Sequence, residues 1–280
     1  MTSRLPDFLI VGAMRSGTTS LSVYLGAHPD VFIPERKEIR FFDRHFANGP
    51  DWYREQFRGA GERMVVGEAS PGYMYLPQAV SRMAESLPDA RLIALLRDPV
   101  DRAYSHYWMN QALGKESLSF TEALAQESER IARGARRADY SYVDRGRYLR
   151  QLRNVCEHYP REQLHVVLFD DLERNPLETY GDVCRFLGID ADHVPRKLGE
   201  PINRFVTFRS LEMWRSARDR NPLARRVLER ANTRRRSSYP PLEPAVRMAL
   251  AEEFEGDNRA LESWLGRSLA GWTRVPAATG

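Results

Sequence analysis

Arg15, Ser16, Thr18 and Thr19 are gathered in the stretch Gly12-Ala13-Met14-Arg15-Ser16-Gly17-Thr18-Thr19. A short apolar run precedes it and a helical pattern follows. Free backbone N–H groups at a helix start, together with the helix dipole, hold anions. The hydroxyls add donors, and Arg15 adds a full positive charge. Gly12 and Gly17 have the spacing of a triphosphate-binding loop, Gly-x4-Gly-Lys-Ser/Thr, but Thr18 stands where the lysine belongs. That lysine contacts the β- and γ-phosphates, so its absence speaks against triphosphate hydrolysis. No strand ends in a magnesium-binding aspartate either; LIALLRD carries Arg97 where a carboxylate is wanted.

A second basic position follows in RLIALLRDPVDRAYSHYW. Arg97 lies at the end of an apolar run, and Ser105 lies in the first turns of the next helix. Both can face the sheet edge that carries the loop at 12–19. A nucleotide with phosphates at two ends would satisfy both places. The alternative is a turn lock in which Arg97 pairs with Asp98 or Asp101.

The elements that must position these groups are legible as alternation. Apolar runs at Phe8–Val11, Met64–Val66, Arg91–Leu96 and Leu164–Phe169 suit strands buried on both faces. Helical patterns cover Thr18–Ala27, Gln78–Leu87, Val100–Leu113, Phe120–Arg133, Arg147–His158 and Leu177–Leu187, the last followed by Gly188 as a C-cap. Helices around Ser210–Asp219, Leu223–Ala231 and Glu243–Leu265 complete the C-terminal third. This predicts an α/β fold: a P-loop-like three-layer sandwich with a central, mostly parallel sheet flanked by helices, and a helical C-terminal part. No low-complexity linker divides the chain, so a single domain over 1–280 is expected. Ligands in such sheets bind at the carboxyl ends of the strands.

Composition is that of an ordinary globular protein, 42% hydrophobic and 29% charged over 280 residues. No apolar run approaches the roughly 20 residues that span a bilayer, and the N-terminus lacks a signal peptide's pattern. A cytoplasmic protein with no stable membrane insertion is expected. Cys156 and Cys184 read as reduced thiols. Net charge is +4, carried almost wholly by arginine, since lysine occurs only at Lys37, Lys115 and Lys197. Mild basicity suits an anionic ligand without requiring nucleic acid.

Gly-x-x-Arg-Ser-Gly-Thr-Thr after the first strand, with Leu-Arg-Asp-Pro-x-x-Arg-Ala-x-Ser-x-Tyr at the later one, resembles the sulfotransferases that use 3′-phosphoadenosine 5′-phosphosulfate (PAPS). The heparan-sulfate-type group (the N-deacetylase/N-sulfotransferases among them) and its bacterial relatives are the nearest likeness. It continues through HPDVF, KEIRFFD, DWYREQF, GEASPGYMY, GRYLRQLRNVCEHYPREQLHVVLFDDLERNP, FLGI, SSYPPLEP and LGRSLAGW, in order along nearly the whole chain.

The resemblance implies that Arg15, Ser16, Gly17, Thr18 and Thr19 hold the 5′-phosphosulfate and that Arg97 and Ser105 hold the 3′-phosphate. It implies that the segment Arg234–Tyr239 folds over the nucleotide, making Arg235, Arg236 and Ser237 candidates. Phe205, Phe208 and Trp214 are candidates to stack on adenine. Glu38, two residues before a Phe-Phe pair, matches the family's catalytic glutamate. It would take the acceptor's proton; His45 and His106 are rival bases, and His28 is expected to be structural. Negative charge grows on the bridge oxygen as the sulfuryl group leaves in line, so Arg15 would lower the barrier electrostatically. The resemblance implies PAPS as cosubstrate and 3′-phosphoadenosine 5′-phosphate (PAP) as product; no set of His, Cys and carboxylate residues in the sequence reads as a metal site, so no metal is expected.

Two departures stand out. Arg15 replaces the heparan-type lysine, and Ala69 replaces another lysine that contributes to catalysis or substrate binding. Ala69 turns the expectation from a heparan-like polyanion toward a small-molecule, lipid or glycan acceptor, sulfated on a hydroxyl, with an amine as second choice. Glu68, Phe42 and Tyr73 are candidates to contact it, Glu68 pairing with an arginine being the alternative. Phe41, Trp52, Tyr53 and Tyr75 join the two as a cluster, of which at least half is expected in the core. Two other functions fit parts of the sequence: a small-molecule kinase, and an anion- or nucleic-acid-binding module built on the arginines between Arg218 and Arg236.

Overall fold

The computed structural model describes residues 4–36, 38–60, 65–133, 137–200, 202, 206–208, 233–235 and 239–273. Along the chain, β1 (Phe8–Gly12) leads to α1 (Thr18–Gly26), β2 (Val31–Phe32), α2 (Gly49–Glu55), β3 (Val65–Ala69), α3 (Pro77–Ser86), β4 (Arg91–Leu96) and α4 (Pro99–Ala112). Then follow α5 (Phe120–Ala125), α6 (Glu127–Ala132), α7 (Arg137–Tyr140), α8 (Tyr148–Cys156), β5 (Leu164–Leu168), α9 (Phe169–Arg174) and α10 (Pro176–Leu187). An antiparallel pair of short strands, β6 (Val206–Phe208) and β7 (Thr233–Arg235), precedes the long α11 (Pro244–Leu265).

Five strands form one sheet in the order β2-β3-β1-β4-β5, and every pairing in it is parallel. Alternation along the strands sends side chains into two layers. Leu9, Val11, Leu92, Ala94 and Leu96 face a core shared with α3 and α8, whereas Phe8, Ile10, Ile93, Leu95 and Val167 face one shared with α1 and α10. A third cluster joins α4, α5 and α11 through Val100, Ala103, Phe120 and Phe254. The expected three-layer α/β architecture is what forms.

Boundaries differ from expectation in instructive ways. The strand expected at Met64–Val66 runs on to Ala69, because Gly67 and Glu68 pair with Phe8 and Leu9 although they interrupt the apolar run. The single helix expected over Phe120–Arg133 is two. Ser119 caps the first with a capping box, and the break falls at Gln126. Phe169 opens α9 instead of closing β5. Helices expected at Ser210–Asp219 and Leu223–Ala231 lie outside the described residues.

Candidate functional site

β1 and β4 adjoin, so the loops that follow them leave the same edge of the sheet. In the first loop Gly17 has φ 89°, and a Cβ there would lie 2.7 Å from Cδ2 of Phe169, so both conformation and space call for glycine. Ser16 is fully buried beside the Tyr148 hydroxyl. Arg15 reaches across from the loop to α4. Its Nε donates to Ser105 Oγ at 2.9 Å and its Nη2 to the Tyr239 hydroxyl at 3.0 Å, while Ser105 Oγ and Tyr239 Oη lie 2.7 Å apart. Arg15 and Ser105, expected at opposite ends of a nucleotide, are thus in direct contact. The arginine side chain is long enough to span the gap that the loop leaves.

The turn lock does not form. Asp98 caps α4 by accepting from the N–H of Val100 at 2.8 Å, with Pro99 at the first helical position. Arg247 of α11 pairs with both Asp98 and Asp101. Arg97 is left facing the cleft, its guanidinium 4.9 Å from the Phe169 ring centroid, with no ion pair among the described residues. Its carbonyl is fixed by the Tyr148 hydroxyl at 2.8 Å.

On the far side of the loop, Glu38 and Arg40 both have left-handed backbones, at φ 56° and 58°. Arg40 N–H donates to Ser70 Oγ at 3.1 Å, and Ser70 Oγ donates to Glu68 Oε2 at 2.8 Å. Glu68 Oε1 accepts from Tyr53 at 2.8 Å and from Tyr73 at 3.0 Å. No arginine pairs with Glu68 among the described residues; three hydroxyls do that work. Burial dominates them and raises its pKa to about 7. Phe42 and Tyr73, candidates for the acceptor, are fully buried in the core instead. Phe41 stacks on Tyr53 with centroids 4.4 Å apart, and Phe42 meets Tyr73 edge-on at 5.4 Å, which closes them off from any ligand.

Two cavities open at this edge. The larger, about 600 Å³, holds Arg15, Arg97, Ser105 and Tyr239. The smaller, about 320 Å³, lies between α1 and the segment before Glu38, with Val23, Ile33, Pro34 and Ala69 in its wall. Thr18, Thr19, Glu38 and Pro71 line both. Of the rival bases, His45 packs on Trp52 and lines neither cavity. His106 lines the larger but is buried, and desolvation with Arg102, Arg145 and Arg15 holds its pKa well below the usual histidine range. His28 is structural: it accepts from Asp30 N–H at 3.1 Å on Nδ1 and meets the Asp190 carbonyl at 2.9 Å on Nε2.

With that geometry in place, comparison with known proteins is decisive. The sulfotransferase domain family matches residues 5–238. The chain belongs to that family. A crystal structure of a sulfotransferase from Alicyclobacillus acidocaldarius is 32% identical, covers 97% of this chain and all of its own, and superposes with a TM-score of 0.76. The human bifunctional heparan sulfate N-deacetylase/N-sulfotransferase 2 is 30% identical over 97% of this chain and 31% of its own length. The membrane-associated sulfotransferase kil1 of Dictyostelium discoideum is 42% identical over 37% of this chain and 22% of its own. The chain spans less than half the length of these curated relatives.

Within this sulfotransferase domain, Arg236 and Ser237 lie outside the described residues, as do Phe205 and Trp214; of Arg235 and Phe208 only the backbone, in β7 and β6, is described. The described residues contain no group of three or more metal-ligating side chains and no helix long and apolar enough to cross a membrane. Three residues at the cleft escaped sequence reasoning. Phe169 underlies both Gly17 and Arg97; its place at the end of β5, next to β4, was the available signal. The Tyr239 hydroxyl lies inside the segment expected over the nucleotide, but nothing in the sequence tied it to Arg15. Arg145 lines the cleft from a turn that carries no motif.

Proposed function

We propose that residues 1–280 act as one domain that transfers a sulfuryl group from PAPS to a hydroxyl of a small-molecule, lipid or glycan acceptor, releasing PAP. The observation that carries this reading is the position of Glu38, the carboxylate common to two cavities that meet at the anion-binding loop. The larger cavity suits the nucleotide. Arg15 and Arg97 face it with no carboxylate ion pair among the described residues, and Ser105 and Tyr239 bring hydroxyls. A set of cations and hydroxyls fits phosphate and sulfate oxygens. The smaller cavity, where Ala69 leaves room, suits the acceptor hydroxyl.

PAPS supplies an activated sulfuryl group whose departure places negative charge on a bridge oxygen. Arg15 and the loop N–H groups would stabilise that charge, Arg97 and Ser105 would anchor the 3′-phosphate, and Glu38 would accept the acceptor's proton from between the cavities. Relatives named for heparan sulfate support a glycan among the acceptor classes. Family membership leaves the kinase and nucleic-acid readings without support.

Titration calorimetry with PAP tests the nucleotide half. Binding is expected, and Arg97→Ala should weaken it about tenfold, the loss of one charge-assisted contact. Absence of binding, or undiminished binding in the variant, removes the assignment. Glu38→Gln should lower turnover by at least about a hundredfold with PAP affinity kept; wild-type turnover would remove Glu38 as the base.

A further inference from the structure

Arg145 is a cation that the reaction above leaves unused. It sits in the turn between α7 and α8, is only 4% exposed, and lines the larger cavity together with Arg15, Arg97, Ser105 and Tyr239. Its guanidinium lies 4.2 Å from the Tyr75 ring centroid. The ring favours a cation over its face but is no substitute for an acceptor oxygen. Nε is enclosed without a hydrogen-bond partner among the described residues. The cavity's carboxylates are on Glu38, Asp139, Glu173 and Glu200, and none of them forms an ion pair with Arg145.

Other cations of this cavity are matched by acids. Arg40 pairs with Asp43 at 2.6 Å, and Lys115 lies 3.4 Å from Asp139. Asp144, beside Arg145 in the chain, pairs with Arg150 and accepts from the Tyr75 hydroxyl. Burial first, and Arg102 second, lower the Arg145 pKa to about 10, so it still carries its charge at neutral pH. A buried guanidinium without an acceptor costs stability, and a ligand oxygen supplied from the cavity would offset that cost.

The position of Arg145 in the cavity points to the ligand. Ser105 of α4 accepts from Arg15, and His106 follows it in the wall of the same cavity. The His106 ring lies 4.8 Å from that of Tyr142, in the turn that carries Arg145. His106 is buried, and its Nδ1 is also without a partner among the described residues. One wall thus runs from the Arg15–Ser105 pair along α4 to the turn of Arg145. The nucleotide assigned to this cavity also brings more charge than the two arginines given to it. PAP carries two phosphate monoesters of about −1.5 to −2 each near neutral pH, so Arg15 and Arg97 neutralise only about half of it.

We propose that Arg145 is a third cation for the nucleotide and binds a phosphate or sulfuryl oxygen of the PAPS that occupies the larger cavity. The word PAPS rests on the sulfotransferase reading; the anion site does not. A guanidinium binds such a group through two parallel N–H donors, which an ammonium cannot copy.

Titration calorimetry with PAPS and with PAP, in the absence of acceptor, tests this. Arg145→Gln should bind PAPS about tenfold more weakly than the wild type. An equal loss for PAP places the contact on a phosphate, and a loss confined to PAPS places it on the sulfuryl group. Binding of PAPS by the variant within about twofold of the wild type overturns the proposal. Without ligand, Arg145→Gln should melt no lower than the wild type, because an unpaired buried charge has gone. Should it melt lower or fail to fold, Arg145→Lys decides: PAPS binding weaker by about threefold or more at an unchanged melting temperature is expected, and unchanged affinity overturns the proposal. If neither nucleotide binds the wild type, the sulfotransferase reading falls, and inorganic sulfate decides the anion site. Weaker sulfate binding by Arg145→Gln than by the wild type keeps that site; equal or absent binding overturns it.

Discussion

Glu68 is a carboxyl group held in the interior by three hydroxyls, and its replacement by glutamine tests how the segment carrying Glu38 is fixed. The side chain is 1% exposed. Burial raises its pKa from 4.5 to about 7, although Ser70, Tyr53 and Tyr73 each favour the charged form. The folded state therefore binds this proton more tightly than the unfolded chain does. The stabilisation is fully present below the unfolded pKa and is lost as pH rises through the folded one. At roughly 1.4 kcal/mol per unit, the difference between pH 4.5 and 7 amounts to about 3 kcal/mol. Glutamine cannot titrate, so Glu68→Gln should lack this component. Its amide fits the hydroxyl cage less well, but that penalty is the same at every pH and shifts the curve without bending it. Asp98, whose pKa is also raised to about 7 by burial, titrates in both proteins and cancels. Urea unfolding at about pH 5 and about pH 8 measures the effect. The wild type should lose about 3 kcal/mol more than the variant between the two. Parallel pH profiles would refute the claim that burial raises the Glu68 pKa in the folded state.

Gly17→Ala should cost about 1–3 kcal/mol, since φ 89° and the 2.7 Å approach of Phe169 both oppose a side chain, and should weaken PAP binding because Phe169 also supports Arg97; denaturant unfolding and calorimetry read the two effects. Arg247→Met removes the partner of Asp98 and Asp101 and should cost about 1–3 kcal/mol at pH 8. The cost should be smaller at pH 5, where Asp98, its pKa already raised to about 7, is protonated; a pH-independent loss would show that packing, and not charge, is what Arg247 supplies. Glu38→Gly should lower turnover at least as far as Glu38→Gln is expected to, yet leave stability unchanged or raised by about 1 kcal/mol, because glycine adopts φ 56° without a steric penalty. A clear drop in unfolding free energy would mean that the Glu38 side chain itself holds the segment.

The central sheet was legible because strands buried on both faces leave continuous apolar runs; Phe8–Gly12 and Arg91–Leu96 are nearly free of anything else. β2 was not, since Val31–Phe32 is two residues and owes its conformation to β3. β3 was half legible, because its polar member Glu68 is tolerated only through hydroxyls on Tyr53, Ser70 and Tyr73, and sequence spacing does not show that they converge. The residues proposed to hold the nucleotide's anionic groups were legible as motifs, since loop, strand end and helix start carry them in fixed order. Fates of aromatic residues were not: Phe42 and Tyr73 read as candidates to contact the acceptor, and their burial in the stack with Phe41 and Tyr53 places them in the core. Arg145 was invisible in a chain so rich in arginine, because what distinguishes it is a buried Nε without a hydrogen-bond partner among the described residues, which only three dimensions reveal.

The cleft as a whole follows the same logic. An arginine-rich sequence does not say which guanidiniums are available to a ligand; the placement of the carboxylates does. Asp98 and Asp101 are drawn to Arg247 on α11, so Arg97 next door is left to the cleft. Asp43 takes Arg40 at 2.6 Å, and Glu68 is satisfied by neutral hydroxyls, so neither approaches Arg15. Arg15 in turn rests on Ser105 and Tyr239, whose hydroxyls can release it to a stronger acceptor at far lower cost than a carboxylate could. The left-handed backbone at Arg15, φ 74°, together with those at Glu38 and Arg40, puts strain of about 1–3 kcal/mol per residue at the two borders of this cation-rich space. Such conformations persist where surrounding contacts over-determine them. At Arg40 the bond to Ser70, the ion pair to Asp43 and the carbonyl's acceptance from Arg44 and His45 N–H at 2.9 and 3.1 Å do so. These contacts fix the chain two residues after Glu38, whose own backbone is left-handed and which borders both cavities.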